Sequence, residues 1–440
     1  DLFGNVTDAG QFAPKHPVFA SGYVEDRIEV SDLIINAGLR YDFINMDSWK
    51  WTDPLVPFVD PTTHFAPSDT IQKGNTYSYV SPRLGFSFPV TDRTVFHMQY
   101  GKFVQNPSLD QAYRGIFQVA QQLIGSNLFT NPIAYNPEPI RTTQYEIGFT
   151  QQFTDFAAFD ITAFYKDIKG QLQYAVIYTA PGAIRAKYNA FTNQDFSTTK
   201  GLELSLKLRR VERVRVEMNY TYSDAAGTNS FSGSGVGSTE VNGNVPTVLI
   251  PLTYNQTHRG SIMLDYRFGQ DDGGPILQQL GLNLLFSFNS GHPYTLAQQV
   301  GLGQSSAWTG GLIDAADTRV RKPIGPINSA TTPWVYNLDL RLDKTVSMFN
   351  TDFNFYVVVQ NVFNTKNVIN VYDQTGNAYD DGFLSTSSAQ NLVTQSRYTE
   401  RFVDLYNALN IANREHALQV MGVDMFGSPR QIRAGILVNL

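Results

Sequence analysis

Six histidines stand at positions 16, 64, 97, 258, 292 and 416, too dispersed for an HExxH pair or an i, i+4 couple that would present two imidazoles to zinc from one helical face. With no cysteine in the chain, disulfides and thiolate metal sites are excluded. The glycine-rich stretch Ser230 to Gly243 (SFSGSGVGSTEVNG) follows a strand pattern but opens no helix, so it lacks the helix N-terminus that cradles a phosphate and reads as a loop. Asp271-Asp272-Gly273-Gly274 is ordinary turn chemistry. Tyr379-Asp380-Asp381-Gly382 offers two carboxylates to a cation at a loop tip, or a plain solvated turn. Non-covalent contact is better provided for. Glu203, Lys207, Arg213, Arg215, Glu217 and Arg341 alternate with apolar neighbours, and Phe402, Leu405, Tyr406 and Leu409 recur at three- and four-residue spacing, the period of an apolar helical stripe. No catalytic residue, metal or cofactor is expected, and the chain is not read as an enzyme.

Composition narrows the setting of these residues. The 440 residues carry 33 Lys+Arg against 39 Asp+Glu, a net charge of −6, which excludes a basic nucleic-acid-coating surface. Charged residues make up 16%, against roughly 25% in an ordinary soluble domain, and aromatics reach 13%, so a cytosolic enzyme is a poor fit. No apolar run exceeds five residues, as in Phe355 to Val359, far below the roughly 18 to 20 of a membrane-spanning helix. The start at Asp1 carries no signal-peptide pattern.

The elements that must position the candidate residues are strands. Leu202, Leu204, Leu206 and Leu208 alternate with Glu203, Ser205, Lys207 and Arg209, and Val214, Val216, Met218, Tyr220 and Tyr222 alternate with Arg213, Arg215, Glu217, Asn219 and Thr221. Thirteen such strands are expected, at 17–29, 32–46, 76–89, 94–104, 141–153, 156–167, 199–209, 212–225, 256–268, 278–290, 334–345, 350–362 and 430–440. Connections alternate in length. Short turns at 30–31, 90–93, 154–155, 210–211, 269–276 and 346–349 are interleaved with long loops at 47–75, 105–140, 168–198, 226–255, 291–333 and 363–429. That sorting is expected of an outer-membrane antiparallel β-barrel, with short periplasmic turns and long extracellular loops; a soluble β-sandwich core is the alternative, without a reason for the parity. Tyr41, Phe43, Tyr220, Tyr222, Phe286, Phe288 and Tyr336 fall near strand ends on the outward parity, where interfacial girdles belong. The charged candidates fall on the luminal parity, to pair across strands, seat a plug or line a solute path. Pro82 and Gly85 predict a bulge or bend in the third strand. The apolar stripe predicts a helix from about Tyr398 to Met421 in the longest loop.

Several strings, in order, carry a resemblance. Tyr23 to Glu29 (YVEDRIE) with Leu33 to Tyr41 (LIINAGLRY), Ser81 to Phe86 (SPRLGF), Tyr145 to Gly148 (YEIG), Phe164 to Asp167 (FYKD), Thr199 to Glu203 (TKGLE) and Asn361 to Asn364 (NVFN) resemble TonB-dependent outer-membrane receptors, nearest the Oar-like and carboxypeptidase-regulatory-domain group. The resemblance spans nearly the whole chain. It implies an outer-membrane transporter without covalent chemistry, a plug domain, contact with TonB through that plug, a barrel of 22 strands, and lipid and lipopolysaccharide as surroundings; the ligand is left open. Plug and TonB box are not found in this sequence, and the chain ends at Leu440 rather than an aromatic, although Ile432, Ala434, Ile436, Val438 and Leu440 still alternate. Thirteen antiparallel strands begin and end in the same direction, so they are expected to be the C-terminal part of a larger barrel, within one receptor or as half of a split one. The alternative function is a structural or adhesive surface barrel that binds a protein or lipopolysaccharide partner.

Overall fold

The computed structural model describes residues 13–113, 123–124, 136–234, 246–299, 321–349, 351–394, 399–415, 417–418, 422 and 424–439. Period-two alternation folds into one antiparallel sheet of thirteen principal strands: β1 (Val18–Val30), β2 (Leu33–Asn45), β3 (Thr76–Thr91), β4 (Thr94–Gln105), β5 (Ile140–Thr154), β6 (Ala157–Tyr178), β7 (Lys187–Val211), β8 (Val214–Gly227), β9 (His258–Arg267), β10 (Leu280–Asn289), β11 (Val335–Met348), β12 (Thr351–Gln360) and β13 (Gln431–Asn439). Each pairs with its chain neighbour, and a two-residue strand, Ile250–Pro251, joins the sheet beside β8.

Register shows why the alternation matters. Leu204 of β7 sits between Ile161 of β6 and Tyr220 of β8, and Leu206 sits between Phe159 and Met218, so one face is a continuous apolar wall. Leu202, Leu204 and Leu206 remain 41, 37 and 37% exposed, a liability in water and the rule for a wall whose solvent is lipid. The buried apolar clusters instead lie toward the long-loop end, around Trp49 and Trp51, Ile44 and Met46, Leu172 and Tyr174, Tyr372 and Met425, and Phe383 and Tyr406. Outward tyrosines run in a row across strands: the Tyr100 and Tyr145 rings stand 5.2 Å apart, and those of Tyr145 and Tyr165 6.4 Å. Among the expected girdle residues, Phe286 stacks with Tyr336 and Tyr220 with Phe288.

Turns at the short side are tight. Ser31, Glu212 and Phe349 take φ of 52, 51 and 54°, the left-handed start that two-residue hairpins favour. Between β9 and β10 the turn is longer and holds a one-turn helix, Gly274–Leu277. β1 and β13 both run toward this side, so the end strands are parallel to one another, and the described pairings include none between them.

Three expectations need correction. The loop expected at 168–198 is largely strand: β6 and β7 continue past the sheet as a paired hairpin to Tyr178 and Lys187, with register shifts between Lys169 and Gln173. Leu172, Tyr174, Val176 and Phe191 are buried on one another there, and the tip joins the Trp49–Trp51 and Ile71–Lys73 hairpin through Tyr188, whose hydroxyl donates to the Pro54 carbonyl at 3.0 Å. The bulge expected at Pro82 and Gly85 is absent from the β2–β3 ladder, which is unbroken from Asn45 and Thr76 to Ile34 and Ser87. Pro82 escapes a broken bond because pairing to β4 begins only at Arg83; the shift lies at Pro89 to Thr91. The helix expected at 398–421 is shorter, Thr399–Tyr406 followed by a π-helical turn Asn407–Ala412, and an unexpected helix, Ser387–Thr394, precedes it. Residues 398, 416 and 419–421 of that expectation, like 235–243 of the glycine-rich stretch, lie outside the described residues.

Candidate functional site

The polar face of β7 to β12 carries a belt of charge. Arg210 of β7 pairs with Asp265 of β9, which stands 4.0 Å from Arg267 on its own strand. Arg267 donates two hydrogen bonds of 2.9 Å to Asp343 of β11. Arg341 lies 3.6 Å from the same carboxylate, with its guanidinium 4.9 Å above the Tyr356 ring of β12. Register places Arg267, Gly281 and Asp343 in one row across three strands. Gly281 is what lets the pair close, because a Cβ there would stand 2.4 Å from the Arg267 Nη2. The device recurs where His97 reaches over Gly148 to the Thr162 hydroxyl at 3.1 Å.

The six charged candidates divide. Arg341 belongs to the belt. Arg215 pairs with Glu217 two residues along the same strand. Neither Lys207 nor Glu203 forms the expected cross-strand ion pair among the described residues: Lys207 lies in register with that Glu217, which Arg215 occupies, and Glu203 stands in register with Thr162 and Thr221. Arg213 is corrected from strand to turn, since β8 begins at Val214. There it donates to both Asp272 oxygens at 2.6 and 2.7 Å and stacks 4.6 Å from the Phe268 ring, tying two short turns together. Its hydrogen bonds hold the Asp272 carboxyl below the usual 3.8, and Asp272 raises Arg213 in return.

The loop candidates divide as well. Tyr406 is 3% exposed, stacks 4.9 Å from Phe383 and donates to Asp381 Oδ2 at 2.5 Å, while Phe402 packs against the same cluster. Leu405 and Leu409, four residues apart, are 58 and 44% exposed and form the outward face. Both carboxylates of the Tyr379 to Gly382 turn are engaged: Asp380 accepts from the Gly382 amide at 2.8 Å and Asp381 from the Phe383 amide at 3.0 Å. The loop is tied down elsewhere by Arg414, which donates to Asp424 at 2.5 and 3.1 Å. Burial raises the Asp424 carboxyl, but the Arg414 hydrogen bonds outweigh it and the net shift is downward.

The sequence model of the family described as "TonB dependent receptor-like, beta-barrel" matches residues 1–362. The chain belongs to that family. This receptor barrel is accordingly a bacterial outer-membrane protein. It is similar in fold to FpvA of P. aeruginosa, solved as a complex with iron and a heterologous pyoverdine, with a TM-score of 0.50 and 13% identity over 96% of this chain and 38% of that one. The FrpB iron transporter of Neisseria meningitidis gives a TM-score of 0.49 and 14% identity over 80% of this chain and 41% of that one. The ferric-catecholate import receptor Fiu of K12 E. coli gives 0.47 and 16%, over 81 and 42%. The chain thus spans about two fifths of the length of these structures. No curated protein matches the sequence.

In the receptor barrel some positions of the charged belt escaped reading from the sequence. Arg210 was assigned to a turn and proves to be the first member of the belt. Gly281 carried no signal except its polar-face parity opposite a long cation. Asn361 and Asn364 of the NVFN string, by contrast, have a structural role: both take φ of 52° as β12 ends, Asn361 donates to the Thr365 and Ser428 carbonyls, and Asn364 accepts from the Arg430 amide. They pin both ends of the longest loop.

Proposed function

We propose that the chain is the C-terminal part of the barrel of an outer-membrane receptor that takes up a scarce solute. The remaining strands and a plug are supplied by further receptor sequence or a second polypeptide, and TonB delivers energy through the plug. The observation that carries the reading is the family match over residues 1–362, laid on a sheet with one lipid-facing and one charged, water-facing wall. Anchored extracellular loops serve capture, the polar wall serves plug seating and passage, and the chain performs no covalent chemistry. Lipid and lipopolysaccharide contact the outward aromatic rows. A second reading, surface binding of a protein partner without transport, draws on the exposed Leu405 and Leu409 pair.

Solute depletion from the medium separates them. Cells with the intact receptor are compared with receptor-deleted cells, each with and without TonB. Transport predicts at least one solute whose removal requires both proteins; depletion indifferent to both, with partner binding unaffected by TonB loss, supports the adhesive reading instead.

A further inference from the structure

A recess of about 300 Å³ opens on the water-facing wall of β1 to β5, well away from the charged belt. Its floor is made by Gly38, Gly85 and Gly101, and its rim by Tyr23, Glu25, Arg40, Arg83, Gln99 and Phe103. Glu25, Gly38 and Arg83 form one row across three strands, the same acid, glycine and arginine arrangement as Asp343, Gly281 and Arg267. There the pair is closed at 2.9 Å. Here it is open. Among the described residues neither Glu25 nor Arg83 has an ion-pair or hydrogen-bond partner, because the Arg83 guanidinium is turned away and lies 4.9 Å over the Phe103 ring. Phe103 can lie there because Gly101 has no side chain; a Cβ would stand 2.8 Å from the ring.

The other rim cation, Arg40, is neutralised by Asp42 at 2.9 Å, so the recess holds one free cation and one free anion on opposite sides of a glycine floor. That balance disfavours a phosphate or a dianion, which would leave Glu25 facing like charge, and fits a ligand with separated charges of its own. We propose that this recess binds zwitterionic solutes, amino acids or short peptides, with the carboxylate on Arg83 and the ammonium on Glu25. Tyr23 and Gln99 offer further hydrogen-bonding groups at the rim. The volume is at the small end of ligand sites, enough for an amino acid or dipeptide. Because both charges are solvated, binding is weak, as a transit subsite requires. The proposal rests on the receptor reading only for which face of the sheet meets water.

Purified full-length receptor in nanodiscs, titrated with glycylglycine, N-acetylglycine and glycinamide and followed by saturation-transfer NMR, tests this without TonB or uptake, so failure of the transport reading leaves the result interpretable. Glycylglycine should saturate the wild type. Arg83→Gln should weaken glycylglycine and N-acetylglycine by about tenfold while sparing glycinamide, the loss of one charge-assisted contact. Glu25→Gln should do the mirror image. Gly38→Leu should block all three, with folding checked by heat-modifiable migration. Equal glycylglycine affinity in wild type, Arg83→Gln and Glu25→Gln overturns the proposal, as does absence of saturation or a preference for succinate.

Discussion

At the scale of single residues, the wall is organised by what glycine omits. Gly281→Val should eject Arg267 from Asp343, which is 3% exposed and, among the described residues, keeps Arg341 and Asn354 nearby. The expected cost is roughly 1 to 3 kcal/mol in urea unfolding of the folded receptor, and a value near zero would mean the pair adds nothing. A second residue sets a pH response. Burial holds the His292 imidazole, which contacts the Thr332 hydroxyl at 3.3 Å across the pairing of Pro293 with Thr331, below its ordinary 6.5. Between the folded and ordinary values the unfolded loop binds more protons than the folded one, so this pairing should weaken as pH falls below 6.5. Hydrogen-exchange protection factors at residues 291–299 and 321–332 should drop at acid pH in the wild type and much less in His292→Gln. These details were poorly legible beforehand: the charged parity of Arg267 and Asp343 could be read, but the row that joins them depends on register, which no single strand contains.

At the scale of elements, lipid made the strands legible. Because an apolar face must alternate with a wet one in every crossing, ends of the thirteen strands fall within three residues of expectation everywhere except where β6 and β7 face each other. Past Lys169 the hairpin leaves that constraint; Leu172, Gln173, Tyr174 and Ala175 are buried in unbroken succession, so the period fades and the segment reads as loop. Two substitutions test the face assignment. Leu204→Arg should cost roughly 2 to 4 kcal/mol if it lies near the bilayer midplane, while Ser205→Arg on the other face should be far milder. Equal effects would remove the lipid-facing assignment. For the longest loop, the expected single apolar stripe divides: Phe402 and Tyr406 pack inward, while Leu405 and Leu409 are exposed. Replacing Leu405 and Leu409 together with serine should leave insertion intact and reduce solute or partner capture, whereas Tyr406→Phe removes the donor to buried Asp381 and should loosen the loop itself. Capture unchanged by the double substitution would leave that face without a binding role.

At the scale of the whole molecule, a sheet with an apolar outer wall, a charged inner wall and its buried clusters gathered in the long loops has a direction as well as two faces. Its described end strands run parallel; on the proposed reading closure takes strands from elsewhere, and residues 1–440 expressed alone should not yield a heat-resistant monomeric barrel. The direction is the central claim, and the absence of cysteine from these residues makes it accessible to introduced thiols. Single cysteines at Val56 and Lys187, exposed at the loop ends, and at Asp155, exposed in a short turn, would be placed in the full receptor and treated on intact cells with a membrane-impermeant maleimide. The account predicts labelling of Val56→Cys and Lys187→Cys on intact cells and of Asp155→Cys only after lysis; labelling of Asp155→Cys on intact cells, with the other two protected, would contradict it.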